Sequence, residues 1–362
     1  MAPLAQALSP QLVESTTSSG LAKHVYQGTV DPSWVVGSQV PPFFSLHIRL
    51  ILTRRMGGRV PHGGYVLGLL VMASMKSQER TKHQDPIHVV AHFMQPTARS
   101  EYTIQVEVVR TGSRFSNLTA NLIQNGETKV LTHMIFGTLP EFDAPDPVGS
   151  VSPFTHISPT HPLFRPIPLD THPRDSTPSG MHPKYDAFKG YVRHASDPTL
   201  MARNMAKLDR PGSHSGGLES GAWWELAGRE ERLDLSMIPF FADVSENTPT
   251  ILSHMYGKGT PAMWYPTMVM TVEFKRKLPR RDMTGYSGRT LGVYSRGSFL
   301  EHGRHDMHGE MWSAPSSIGQ PDRRDANWKK DMRCVAITSQ MALCVSPDVN
   351  RSKGEKANKA KL

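Results

Sequence analysis

The run Val60 to Leu70, VPHGGYVLGLL, sets a histidine and two glycines directly before an apolar stretch. His62, Gly63 and Gly64 are compatible with three chemistries. Consecutive glycines can cradle a phosphate, a histidine beside a turn can ligate a metal, and small residues can let a chain enter a buried helix at close range. A phosphate loop needs a following Lys-Ser/Thr or a G-x-G-x-x-G spacing, and neither is present. A metal site needs a second ligand at usable spacing from His62, and none is there. His88 and His92 form an HxxxH pair, but in a strand-like run positions i and i+4 lie about 13 Å apart, too far to share an ion. His302, His305 and His308 in HGRHDMH read as an exposed polar loop. The helix entry therefore stands, with His62 either structural or a substrate contact. Two basic features remain. Lys275-Arg276-Lys277, with Arg280 and Arg281, offers either a phosphate contact or a solvated edge that discourages strand pairing. Arg114 follows Gly112-Ser113 at a strand start, where it could touch a ligand.

Other chemistries are excluded by absence of their patterns. No G-x-S-x-G elbow and no HExxH occurs, which argues against a serine hydrolase and a zincin. The two cysteines, Cys334 and Cys344, make no disulfide framework, so a reducing compartment is expected. The net charge is +9, of which the tail RSKGEKANKAKL supplies four. The remaining excess is mild; it suits an anionic small ligand and does not suggest nucleic acid. No uncharged apolar run reaches the ~18–20 residues of a membrane span, and the N-terminus lacks a secretory pattern.

The elements that must position these residues can be read from periodicity. GYVLGLLVMASMKS is apolar on nearly every face, as a buried helix requires. IHVVAHFM and YTIQVEVV alternate as strands do. FSNLTANLIQ and TKVLTHMIFG flank Asn125-Gly126, a type I′ hairpin signal. After a Pro-, His- and Ser-rich stretch the plan repeats. LDLSMIPFFADVSE reads as a helix in which Pro239 is awkward unless the helix kinks or starts late. TMVMTVEFKRKLP, TLGVYSRGSF and RCVAITSQMALCV then read as strands. In both blocks a helix precedes a strand that closes on an aromatic and then Pro, which suggests a diverged internal duplication. The expected divisions are a flexible arm over 1–21, a first block over 22–140, a Pro-rich connection over 141–218, a second block over 219–348 and a basic tail over 349–362.

The block VPHGGYVLGLL…HFMQPT…VEVVRTGSRFSNLTANLIQNGE resembles the first half of TesB-type, or type II, acyl-CoA thioesterases. The resemblance implies an α+β double hotdog fold, with two antiparallel sheets each wrapped around a central helix. It also implies a hydrolytic Asp, Thr and Gln in the second hotdog. FFADVSE carries Asp243 in the helix, YPTMVMTVEF carries Thr267 on the next strand, and AITSQMALCV carries Gln340 on the last. Thr271, four residues from Thr267, is the competitor for its role. The family's reaction uses an Asp-held water, no covalent intermediate, no metal and no cofactor beyond the coenzyme A of the substrate. Lys275, Arg276, Arg114, His62, Gly63 and Gly64 then become candidates for contacts to the acyl-CoA. Two departures stand out. Residues 38–58 lengthen a junction that is short in the family, as a lineage-specific loop or as translated non-coding sequence, and SSIGQPDRRDANWKKDM lengthens the approach to the last strand.

Trp223, Trp224, Trp264 and Tyr265 add aromatic mass that is either core or acyl channel; a channel role would favour ring-bearing or short branched acyl groups. The terminal Ala360-Lys361-Leu362 resembles a Ser-Lys-Leu peroxisomal address. It points to an import receptor as partner and to the peroxisome, with the cytoplasm as runner-up. A fungal-type fatty-acid or secondary-metabolite pathway is the expected context, and a homo-oligomer is open. Two alternatives compete: a hotdog enoyl-CoA hydratase or dehydratase, whose Gly-Asp-x-Asn-Pro-like context is not found, and a non-catalytic acyl-CoA-binding module.

Overall fold

A computed structural model describes residues 2–18, 20–36, 60–144, 165–180, 185, 187–209, 216–256, 263–320 and 327–346. The 38–58 stretch and the whole of the basic tail over 349–362, with its terminal tripeptide, lie outside these residues. Two short strands, β3 (Val35–Val36) and β4 (Val60–Pro61), pair with each other on either side of 37–59. The chain thus leaves and re-enters the described fold at adjacent points.

The first half is built on α2 (Gly63–Gln78), preceded by a short α1 (Leu4–Ala7). Eleven of the sixteen residues of α2 are buried, which makes it a core helix and not a surface one. Around it curl β1 (Gln11–Ser18), β2 (Leu21–Thr29), β5 (Asp85–Phe93), β6 (Glu101–Thr111), β7 (Ser116–Gln124) and β8 (Glu127–Gly137). Strand β7 alternates buried and half-buried along its whole length, the period-2 pattern of a sheet with one face on the core. Asn125 (φ 52°) and Gly126 (φ 75°) both take the left-handed region that a I′ turn demands.

The second half contains β9 (Val192–Ser196), α3 (Pro198–Asp209), β10 (Leu218–Leu226), α4 (Ile238–Asp243), α5 (Thr248–Tyr256) and β11 (Thr267–Phe274). It continues through β12 (Thr290–Gly297), β13 (Leu300–Glu301), β14 (Arg304–Ser313), α6 (Trp328–Asp331) and β15 (Cys334–Leu343). The helix expected over LDLSMIPFFADVSE starts late. A 3₁₀ turn at Leu235–Met237 precedes it, and Pro239 falls in its first turn, where a missing N–H costs nothing. Helix α4 is therefore only six residues long and ends on Asp243.

The two sheets join edge to edge into one sheet of thirteen strands, ordered β1-β2-β6-β7-β8-β5-β11-β15-β14-β12-β10-β9, with β13 paired to β14. The seam is the antiparallel β5–β11 pair. Outward from it, the halves run β5-β8-β7-β6-β2 and β11-β15-β14-β12-β10, the same order by position in the chain. That shared topology is the physical form of the duplication suggested by the two "aromatic then Pro" strand ends.

Three expectations need correction. The stretch 1–21 is not a free arm: Leu4 and Leu8 are fully buried, and β1 pairs with β2. The Pro-rich connection is not merely a link, because it supplies β9 to the sheet edge and places Phe188 in the core. HGRHDMH is not a loop. His302 (φ 47°) and Gly303 (φ 70°) turn β13 into β14, where His305 is buried and His308 exposed. Among the described residues, no helix is long and apolar enough to cross a membrane, and no group of three or more His, Cys, Asp or Glu is placed to hold a metal ion.

Candidate active site

The site forms where the N-terminus of α2, in the first half, meets the C-terminus of α4, in the second. Gly64 makes the approach possible. A Cβ there would lie 2.2 Å from the Pro239 carbonyl oxygen and 2.7 Å from Asp243 Cβ. Gly68, one turn on and on the same face of α2, abuts the Ser236 carbonyl in the same way, at 2.6 Å. With the helices this close, the Gly64 N–H donates to Asp243 Oδ2 at 2.8 Å, joining residues 179 positions apart. This N–H belongs to the first turn of α2, where the helix itself supplies no acceptor. Gly64 is a candidate contact to the acyl-CoA on the sequence; the structure uses its N–H to hold the carboxylate.

The other oxygen of Asp243 faces the strands. Thr267, the first residue of β11, donates its hydroxyl to Asp243 Oδ1 at 3.0 Å, and the same Oγ1 lies 3.3 Å from Gln340 Oε1 on β15. A hydroxyl has one proton to donate. If Thr267 gives it to Asp243, the Gln340 amide satisfies the second contact by turning its NH₂ toward Thr267. The Nε2 group faces Met307 Sδ at 3.6 Å, a weak acceptor, so little opposes that rotation. A directed chain Gln340 → Thr267 → Asp243 results. Thr271, the competitor, bonds to the Ser339 carbonyl at 3.4 Å instead. The register of β11 and β15 sets Thr267 and Gln340 near each other at the strand end.

His62 caps the cluster, with Nδ1 3.5 Å from Asp243 Oδ2 and the ring buried. Phe240 (5.0 Å), Phe188 (5.8 Å) and Tyr185 (6.4 Å) surround that ring. Tyr185 and Phe188 come from the connection and were not anticipated. The available signal was an aromatic triplet spaced by three, Tyr185, Phe188 and Tyr191, in an otherwise polar stretch. Gly68 was missed too, although its spacing of four from Gly64 marks a shared helix face.

The remaining candidates are not brought here. Arg114 is exposed in the β6–β7 turn. Lys275 and Arg276 lie beyond the far end of β11, about 26–30 Å along the strand direction from Thr267. Lys275 pairs with Glu273, and Arg276 donates to the Phe142 carbonyl at 3.1 Å. Lys277 meets Glu141 (2.7 Å) and Arg280 meets Asp143 (3.2 Å). The basic run thus straps the end of the first half to the second.

A cavity of about 260 Å³ lies just past Asp243, where the chain breaks between α4 and α5. Its walls include Val244, Glu246, His194, Trp224 and Val293. Trp223, by contrast, packs in the separate cluster on the other sheet face. Burial pushes His194 down to about 4. The fold keeps this ring neutral while an unfolded chain would protonate it near its ordinary 6.5. His194 therefore costs no stability above that value, and its penalty grows as pH falls toward 4. The expected loss is on the order of 3 kcal/mol. Urea unfolding at neutral and acidic pH should show it, and His194→Gln should flatten that part of the profile.

Two family models match the chain: the acyl-CoA thioesterase N-terminal domain over residues 52–137 and the acyl-CoA thioesterase C-terminal domain over 169–315. Together they span well over half of it, and the second begins inside the expected connection, as β9 does. No curated protein matches significantly. Among solved structures, a candidate thioesterase II from Thermobifida fusca is similar at 16% identity and TM-score 0.60, covering 94% of this chain and 97% of its own. A hot dog-fold protein of unknown function from Alicyclobacillus acidocaldarius is similar at 16% and 0.59, covering 95% and 98%. The acyl-CoA thioesterase II TesB2 of Mycobacterium marinum is similar at 14% and 0.54, covering 95% and 98%. At these identities the structures speak to the fold: a double hotdog.

Proposed function

The chain belongs to the acyl-CoA thioesterase family, and from that premise we propose that Asp243, Thr267 and Gln340 hold the water that cleaves an acyl-CoA into free acid and CoA. The observation that carries this reading is the contact chain through the Thr267 hydroxyl, which gathers one carboxylate, one hydroxyl and one amide from three separate elements. Each carboxylate oxygen of Asp243 has a second lone-pair site beyond the bond it already accepts, so a water can donate to it. Thr267 and Gln340 hold that water in line. Asp243 removes its proton as the water oxygen bonds to the thioester carbonyl carbon. The tetrahedral intermediate collapses with cleavage of the C–S bond, and the proton passes to the departing CoA sulfur. The oxyanion is stabilised by the N-terminal end of α2, whose first-turn N–H groups and dipole supply positive potential. His62 holds the Asp243 carboxylate in place from the side.

The acyl group extends into the cavity past Val244, against Trp224. The mixed lining of that cavity, with Trp224 and Val293 beside His194 and Glu246, favours short, branched or ring-bearing acyl groups over long saturated chains. The purified protein, given a panel of acyl-CoAs that includes short, branched and aromatic thioesters, should release free thiol. No release from any of them by folded protein would overturn the reading.

Thr267→Val keeps the shape and removes the hydroxyl. Losing hydrogen bonds to a charged group at about 1.5–3 kcal/mol corresponds to a roughly 10–100-fold lower kcat. KM should barely move, because the water and not the substrate loses its partner. Steady-state kinetics on the best thioester of the panel provide the check.

A further inference from the structure

Two hydroxyls stand side by side on the floor of the cavity past Asp243. Ser220 on β10 and Ser295 on β12 are direct cross-strand partners, and both line the cavity. The next pair on the same face, Ala222 and Val293, belongs to the main core, so this is the inner face of the sheet. Ser295 is only 2% exposed. Among the described residues, neither hydroxyl makes a hydrogen bond. A buried hydroxyl without a partner is costly, and a ligand oxygen placed between the two would satisfy both. The pair lies on a row that begins beside the candidate site. Thr338 is on β15, two residues before Gln340 and on the same face. From Thr338 the registers lead through Gly309 on β14 to Ser295 and then Ser220. Gly309 has no side chain to interrupt the row, and Thr338 Oγ1 leans over it, 2.5 Å from where a Cβ would stand. Two strand spacings and one two-residue step put Ser295 about 12 Å from Gln340. The pair is therefore out of reach of the thioester and within reach of the acyl group.

The charges on the cavity wall decide what kind of oxygen fits. Among the described residues, no Lys or Arg lines the cavity. Asp197 accepts from Thr171 and Thr199, and Glu219 from Tyr294 and Lys207, so both carboxylates are already engaged. Glu246 faces His254 at 3.9 Å, and burial keeps His194 neutral. A carboxylate entering here would find no unpaired cation, and Glu246 would repel it. A neutral oxygen finds two hydroxyls, each able to donate or accept. We propose that the acyl group taken by this cavity carries a neutral oxygen, a hydroxyl or a carbonyl, and that Ser220 and Ser295 select for it. This rests on the hydrolysis proposed for the Asp243 cluster and on entry of the acyl group past Val244. A site that pairs a substrate oxygen rejects the analogue lacking it, because its own polar groups then stay unpaired.

The test compares hexanoyl-CoA and octanoyl-CoA with their ω-hydroxy and ω-carboxy counterparts, and phenylacetyl-CoA with its para-hydroxy counterpart. kcat/KM is measured for the unaltered full chain, Ser220→Ala, Ser295→Ala and the double variant. The unaltered chain should favour a hydroxylated thioester over its plain partner by about tenfold or more, and should disfavour the carboxylates. The preference should fall in each single variant and approach unity in the double one. Each preference is a ratio taken on one preparation, so any loss of folded protein cancels from it. Dissociation constants of the matching non-hydrolysable thioether analogues, measured by calorimetry, give the same ratios without turnover. Turnover with no hydroxyl preference in any pair, or a preference that survives the double variant, would overturn the proposal and leave the hydrolysis standing. A serine-dependent hydroxyl preference in binding, with no turnover of any thioester, would overturn the hydrolysis and support the selection. Absence of both binding and turnover would overturn both.

Discussion

Asp243→Asn should leave a folded protein that still binds acyl-CoA but hydrolyses it about 10²–10⁴-fold more slowly, the usual worth of a positioned general base. The amide has nearly the shape of the carboxylate and can be accommodated by the same network. Its oxygen can accept the Gly64 N–H that Asp243 Oδ2 accepts at 2.8 Å. Its NH₂ can then donate to Thr267 Oγ1, and Thr267 can turn its own proton to Gln340 Oε1, already 3.3 Å away. The chain of donors simply reverses. The cost to stability should stay near 1–2 kcal/mol, while the group that takes the proton is gone. Binding measured by calorimetry with a non-hydrolysable thioether analogue, beside single-turnover hydrolysis of the thioester, separates the outcomes. Near-normal hydrolysis would remove Asp243 from the chemistry. Loss of binding in step with activity would mean that the residue acts through structure alone. The same experiment decides between an enzyme and a non-catalytic acyl-CoA-binding module.

Gly64→Ala is the second large effect, and it acts on the fold first. The added methyl would meet the Pro239 carbonyl at 2.2 Å, Asp243 Cβ at 2.7 Å and Phe240 Cα at 2.8 Å. Two of these are backbone atoms of a buried helix, so no side-chain rotation relieves the overlap. Helices α2 and α4 must separate, in a core packed as densely as a crystal. Overpacking typically costs about 1–3 kcal/mol and occasionally more; with three such contacts, a loss of roughly 3 kcal/mol or above is expected. Separation would also stretch the Gly64–Asp243 hydrogen bond, so activity should fall further than the remaining folded fraction explains. Denaturant titration and activity normalised to folded protein measure the two parts. Wild-type stability would mean that the two helices do not sit this close.

Much of the local structure was legible because it depends on near neighbours. An apolar run without proline makes a core helix at Gly63–Gln78. Alternation makes β6 and β7, and Asn125-Gly126 turns β7 into β8 because those two residues tolerate positive φ. Pro239 is awkward for a helix interior, and it sits in a first turn. The repeated "aromatic then Pro" strand endings pointed to a duplication that the matching strand order of the two halves bears out. The candidate site was legible by a different route. Thr267 and Gln340 are ordinary residues for strands when taken singly; only their order on successive elements, beside a helical Asp, resembled a known hydrolytic set.

Residue types, periodicities and turn chemistry thus followed from the chain alone, since steric and hydrogen-bonding preferences act over a few residues. The partners across the seam did not. That His62 and Gly64 lie against Asp243 depends on two helices from different halves packing at glycine-limited distance. That Tyr185 and Phe188 roof this cluster depends on a connection whose composition reads as loop. That Lys275 and Arg276 do not reach the Asp243 cluster, and that Arg276, Lys277 and Arg280 strap the halves together, depends on where β11 ends relative to Glu141–Asp143. Each of these is a contact between distant positions, chosen by the shape of the packed core, and no local pattern in the chain encodes which distant surface will meet it.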